Sequence, residues 1–120
     1  MKLALAQLVN SQPALLELSS KALLAAPAFR IARILKMFNS EMALYDQQRT
    51  ALLEKYGKLN DDKTQYVFDK DNAEKFQNEF NMFLTVEIDI NITPISLTDL
   101  SDVKIMPQTM LALDWLFDTN

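Results

Sequence analysis

Residues 28–57 read AFRIARILKMFNSEMALYDQQRTALLEKYG, and this stretch decides the fold. Phe29, Ala32, Leu35, Phe38, Met42, Tyr45, Leu52 and Tyr56 recur in steps that keep them along one side of a helix. Ile31, Ile34 and Leu44 widen that stripe, mostly in its first half, so the first half is expected to be the more deeply buried. Pro27 marks the start, because a first helical turn does not use the N–H that proline lacks. Gly57, the only glycine in the chain, marks the stop, where a residue in the left-handed conformation can close the helix. Lys55 lies in the last turn and complements the negative end of the helix dipole.

The length of this helix has a consequence. About 29 residues at about 1.5 Å each span about 43 Å, whereas a compact chain of 120 residues has a radius of gyration near 14 Å. Either the helix breaks at the polar pair Asn39–Ser40, or it overhangs and one end packs on a partner. Asn and Ser are only mildly unfavourable inside helices, so the unbroken helix is the expectation.

Upstream, residues 1–9 allow two readings. Leu3 and Leu5 alternate as in a strand, while Leu5, Leu8 and Val9 suit a helical turn; the alanine content favours a short helix. Asn10 or Ser11 is expected to cap a second helix with Pro13 in its first turn and Leu15, Leu16, Leu18, Ala22 and Leu23 on its apolar side. These two helices are expected to pack antiparallel with the long one. The opening run is interrupted by Gln7, Asn10, Ser11, Gln12 and Glu17, so it is not read as a signal peptide, and no stretch approaches the length of a membrane span.

Downstream of Gly57, Asn60, Asp61 and Asp62 form a turn, and residues 64–68 are prone to a small hairpin or an edge strand. Asp71 with Glu74 has the spacing of a capping box, and the helix that follows carries Phe76, Phe80 and Phe83 toward the long helix. Val86, Ile88, Ile90 and Ile92 then alternate with Glu87, Asp89, Asn91 and Thr93, which is the clearest strand of the chain; Pro94 ends it or marks an edge. Residues 95–97 can resume pairing, Thr98 or Ser101 caps a short turn, and residues 103–105 can form another strand. Pro107 opens a last helix carrying Met110, Leu111, Leu113, Trp115, Leu116 and Phe117. Both ends are expected to be tied down, at Met1 and at Asn120.

Hydrophobic residues make up 49% and aromatic residues 9%, enough to fill the core of one domain over residues 1–120. Cysteine and histidine are absent. That removes disulfides, thiolate metal sites and the commonest general base, and no cofactor is expected. One glycine cannot build a phosphate-binding loop. Residues 1–58 carry eight basic and four acidic residues, a net +4; residues 59–120 carry four basic and twelve acidic, a net −8. The halves are expected to match each other internally; the other use of this asymmetry is head-to-tail stacking on copies or partners.

Few groupings could carry chemistry. Glu87 and Asp89 share one strand face, and Asp99 and Asp102 share the following turn; paired carboxylates can bind a hard cation or move protons, but a solvated strand face and a capped turn are the expected reading. Asn60–Asp61–Asp62 resembles the start of a calcium loop, without its glycine or closing glutamate. Arg30, Arg33 and Lys36 form a basic strip at i, i+3 and i+6. A nucleic-acid partner would require more positive charge than a chain with a pI of 4.7 offers, so the strip is expected to meet acidic groups. The acidic half could in turn imitate a nucleic-acid backbone, a weaker expectation at −8. Arg30, Arg33, Lys36, Glu87 and Asp89 are the candidate interaction residues.

The segments MKLALAQLVNS (1–11), AFRIARILKM (28–37), ALLEKYG (51–57), VEIDINITPISLTDL (86–100) and PQTMLALDWL (107–116) together resemble small uncharacterised proteins of tailed phages and prophages of Gram-positive bacteria. The resemblance covers most of the chain and implies a phage-encoded protein; it supplies no functional residues. The expected fold is α+β, one long helix plus shorter helices packed on a small, mainly antiparallel sheet around residues 86–92, joined by 103–105 and 64–68. The expected function is non-enzymatic protein–protein contact, as a virion or assembly component; the alternative is a soluble inhibitor of a host defence or regulatory protein. The partner is expected to be a phage structural protein or a host protein, with a homo-oligomer as a further form, in the host cytoplasm or the virion, with neither nucleic acid nor membrane.

Overall fold

A computed structural model describes residues 1–118. The expectation at Asn120 lies outside the described residues. The fold is α+β, built on the long helix. In order it runs β1 (Lys2–Ala4), α1 (Leu5–Asn10), α2 (Gln12–Ser19), α3 (Ala25–Tyr56), β2 (Lys58–Leu59), β3 (Tyr66–Val67), α4 (Lys70–Leu84), β4 (Glu87–Asp89), β5 (Ile95–Ser96), α5 (Pro107–Ala112) and β6 (Phe117–Asp118). Single 3-10 turns occupy Leu97–Leu100 and Asp114–Leu116.

Helix α3 is continuous through Asn39 and Ser40 for 32 residues. It begins one turn before the expected start, with Pro27 buried inside its first turn. The apolar side is also rotated from the expected stripe. Ile31, Ile34, Phe38 and Met42 are buried, whereas Phe29 is 64% exposed and Ala32 faces solvent. All buried α3 residues lie at or before Met42, so the first half is the deeper one, as its apolar density requires. At the far end Gly57 does not adopt the left-handed conformation; its backbone is extended, φ −111° and ψ 169°. Glycine is needed there for room. A Cβ would lie 2.9 Å from the Leu53 carbonyl oxygen and 3.0 Å from the Phe68 ring.

One core gathers the ends of the chain against the first half of α3. Leu8, Leu15, Leu18, Ile95, Leu113 and Leu116 are its fully buried members. The strands are three separate two-stranded ladders. β1 pairs antiparallel with β4, with Leu3 opposite Ile88, so the opening residues form both the expected alternatives, a strand and then a helix. β2 and β3 make the expected hairpin, and β5 pairs parallel with β6. Residues 103–105 form no strand; Val103 and Ile105 turn their side chains onto the core instead. The ladder at β4 stops at Asp89, so the expected strand to Ile92 is paired over only three residues. Met1 is tied down, its carbonyl accepting from Ile90 N–H at 2.7 Å.

Two caps differ from expectation. Asp69, not Asp71, caps α4, accepting from Asn72 N–H at 2.8 Å. Ser96, not Thr98 or Ser101, caps the 3-10 turn. Ser11 is the N-cap residue of α2, as expected, but its side chain makes no capping hydrogen bond. Its buried hydroxyl donates to the Gln7 carbonyl at 2.6 Å and accepts from Trp115 Nε1–H at 2.9 Å, pinning the start of the chain to its last turn. Beside it, the Thr109 hydroxyl donates to the Glu17 carboxylate.

Candidate functional site

The second half of α3 leaves this core. Together with α4 and the β2–β3 hairpin it forms an arm, and the molecule measures 52 × 29 × 24 Å. Its radius of gyration is 17.7 Å, against about 14 Å for a compact chain of this length. Its accessible surface is 8361 Å², against roughly 6,600 Å² for a compact protein of 13.7 kDa. The molecule is therefore longer and more open than a compact chain of its length.

The sequence builds the arm from aromatic rings. Phe76, Phe80 and Phe83 lie at helical spacing on one side of α4, and Phe80 and Phe83 meet Tyr45 of α3. Tyr45 stacks on Phe83 with centroids 5.7 Å apart, and Phe80 stacks on Phe76 at 5.6 Å. The hairpin swings Phe68 onto Phe76 at 5.0 Å. Phe80 and Phe83 therefore pack against the long helix as expected, and Phe76 packs on Phe80 and Phe68, yet none of the three is fully buried. Tyr45, Leu52, Leu53, Tyr56, Phe68, Phe76, Phe80 and Phe83 are all partly buried, and α4 has no fully buried residue. Two helices and a hairpin form a single layer, and a layer covers its apolar seam from one side at most. Leu44 on the flank of the seam is 57% exposed.

One ion pair crosses the arm. Lys55 Nζ lies 3.5 Å from Glu79. Hydrogen bonding by the Tyr56 side chain, ahead of the Glu79 charge, holds Lys55 above its ordinary value. The Tyr56 hydrogen bond is also the leading cause that holds Glu79 below the usual carboxylate range, with the Lys55 charge adding to it and desolvation opposing. Both side chains are solvent-exposed, so the pair positions the arm more than it stabilises it.

The five candidate residues do not converge. Arg30 is paired with Asp99 at 3.0 Å. Arg33 and Lys36 are exposed on α3. Arg30 and Arg33 together line a cleft of about 290 Å³ with Ile34, Met37, Asn91, Ile92 and Thr93. Glu87 and Asp89 lie on the wet side of β4, and Asp89 reaches only the N-terminal amine, at 3.8 Å. Asp99 is engaged by Arg30, and Asn60 Oδ1 accepts from Thr64 N–H at 2.9 Å as an ordinary turn. Among the described residues, every ion pair joins the basic first half to the acidic second half: Met1 to Asp89, Arg30 to Asp99, Lys55 to Glu79. That is the internal match expected from the charge asymmetry. Among the described residues, no three carboxylates cluster as a metal site would require, and no helix is long and apolar enough to cross a membrane.

Comparison with family models, with curated proteins and with solved structures finds no match for this chain. Its chemistry is therefore argued from its own residues. The arm is the part that reading of spacing left out as a site: Phe76, Phe80 and Phe83 look like core residues, and only the thinning of the apolar stripe beyond Met42 signals that the chain covers them in part.

Proposed function

We propose that this protein acts without catalysis, by protein–protein contact, as a component of a tailed-phage particle or of its assembly. The single observation that carries this is the arm. A chain of 120 residues carries an aromatic seam along an arm that starts at the core with Tyr45 and Phe83 and runs about 21 Å past Met42, by the rise of about 1.5 Å per residue over α3. Exposed apolar area of this kind on a small protein is a contact surface. The resemblance to phage proteins supplies the setting, either the host cytoplasm during assembly or the virion itself.

The test is affinity capture of the tagged full chain from infected cells, read by mass spectrometry. Recovery of capsid, neck or tail proteins is the expected result. Absence of the chain from purified particles, together with capture of no phage protein, would overturn it. The cleft beside Arg33 favours a second reading, a soluble inhibitor that grips an acidic side chain of a host defence or regulatory protein. Capture of a host protein, lost on Arg33→Ala, would support that reading.

A further inference from the structure

We infer that the cleft between α3 and residues 91–93 takes an extended peptide segment of a partner protein, which pairs its main chain with the open edge beyond β4 and sets an acidic side chain on Arg33. The inference rests on the second reading above and deepens it by naming the form of the acidic ligand. Three observations carry it.

The first is an unused strand edge. Side chains alternate from Glu87 to Thr93, exposed at 87, 89, 91 and 93 and turned inward at 88, 90 and 92, so the backbone stays extended past the end of the ladder. β1 bonds to alternate residues. The Val86 carbonyl accepts from Leu5 N–H at 2.8 Å, and Ile90 N–H donates to the Met1 carbonyl. Leu3 and Ile88 are therefore the bonded pair between them. The main-chain groups of Glu87, Asp89 and Asn91 then point away from β1. Among the described residues no other strand joins this ladder, and Asn91, Ile92 and Thr93 make no main-chain hydrogen bond. These three residues border the cleft. Such an edge is a template for one more strand.

The second is charge. Two guanidinium groups line the cleft and no carboxylate does. Asp99 holds Arg30. Arg33 enters no ion pair among the described residues, so its planar fork is available to a carboxylate. In a chain of net charge −4 this is a local positive site. Glu87 and Asp89, exposed earlier on the same strand, repel an acid set opposite them, which leaves the Arg33 end as its place.

The third is size and lining. A volume of about 290 Å³ lies at the lower end of ligand-sized clefts, which suits one or two side chains rather than a large cofactor. Ile34, Met37 and Ile92 give it apolar walls. In strand addition the main-chain bonds supply affinity and the pockets choose side chains. The segment selected here therefore carries an acidic residue with an apolar one close by.

Selection from a displayed library of random short peptides on the full chain tests this. The expected result is enrichment of peptides with Asp or Glu near an apolar residue, binding Arg33→Ala about tenfold more weakly or worse. Arg33 is exposed on α3 and alanine favours helix, so the variant keeps its fold. In amide NMR spectra of the unaltered chain, an enriched peptide is expected to shift Asp89 and Asn91 and to slow their exchange with solvent. No enrichment, enriched peptides without an acid, equal binding to Arg33→Ala, or shifts centred on α4 would each overturn the inference. The two readings fail separately. A host protein captured from cells and lost on Arg33→Ala, with no peptide enriched, overturns the extended segment alone. Enriched peptides of the expected kind with no host protein captured overturn the inhibitor reading alone.

Discussion

Replacing Gly57 with alanine tests whether space, rather than backbone conformation, selects glycine at the end of the long helix. With φ at −111° the residue carries no left-handed strain, so alanine gains about 0.4–1 kcal/mol from a less disordered unfolded chain. Against this, the new Cβ meets two neighbours. The Leu53 carbonyl oxygen, at 2.9 Å, cannot retreat without lengthening the bond it accepts from Gly57 N–H, now 2.8 Å. The Phe68 ring, at 3.0 Å, can yield only by lifting from Phe76. Overpacking of this kind costs about 1–3 kcal/mol, which leaves Gly57→Ala destabilised by about 1–2 kcal/mol once the unfolded-state gain is removed. Urea unfolding at equilibrium measures it. The same substitution in a Phe68→Ala background removes one of the two clashes, and the cycle should show a coupling of about 0.5 kcal/mol or more. A Gly57→Ala protein as stable as the parent, or more so, would refute the steric account.

Two further outcomes follow from side chains described above. Ser11→Ala leaves the Trp115 indole N–H without its buried acceptor and should cost about 1–3 kcal/mol; Trp115 is the only tryptophan, so its fluorescence reports the same unfolding directly, and an unchanged urea midpoint would remove Ser11 from the core's polar joint. The Lys55–Glu79 pair predicts a pH window. Glu79's contribution is complete above the ordinary value of 4.5 and is lost as pH falls through its lowered folded value, while Lys55's is complete below 10.5 and lost as pH rises through its raised one. Thermal midpoints of the parent and Glu79→Gln should therefore differ near neutral pH and converge in acid; a constant difference would show that the carboxylate charge is not what matters.

The sequence made the long helix legible because its apolar residues keep helical spacing over many turns and no breaker interrupts them. Its rotation was harder to read. Phe29 and Ala32 fit the stripe as well as Ile31 and Ile34 do, and only the position of α2 and the chain's last turns, seated beside Ile34 and Phe38, decides between them. The alternation at 86–92 marked extended backbone correctly but could not reveal how far a partner would follow it; β1 supplies three residues and then becomes helix. Ser11 was legible as a cap by its type and the following Pro13, but the use of its hydroxyl was not. The acceptor that its hydroxyl provides for Trp115 comes from a residue more than a hundred positions away, beyond any local pattern. The arm was visible as a length argument, since 32 residues of helix cannot fit inside a compact chain of this size. The partial burial of its rings was not, because phenylalanine at helical spacing looks the same whether or not something lies on top of it.

The joint between Ser11 and Trp115 also orders events during synthesis. The arm's partners are near in sequence, Lys55 with Glu79 and Tyr45 with Phe83, and such loops close fast. Leu3 must wait for Ile88, and Ser11 for Trp115. A nascent chain therefore presents a finished arm on the ribosome while its core is still incomplete. Pulse-labelled hydrogen exchange during refolding is expected to protect the amides of α4 before those of α1.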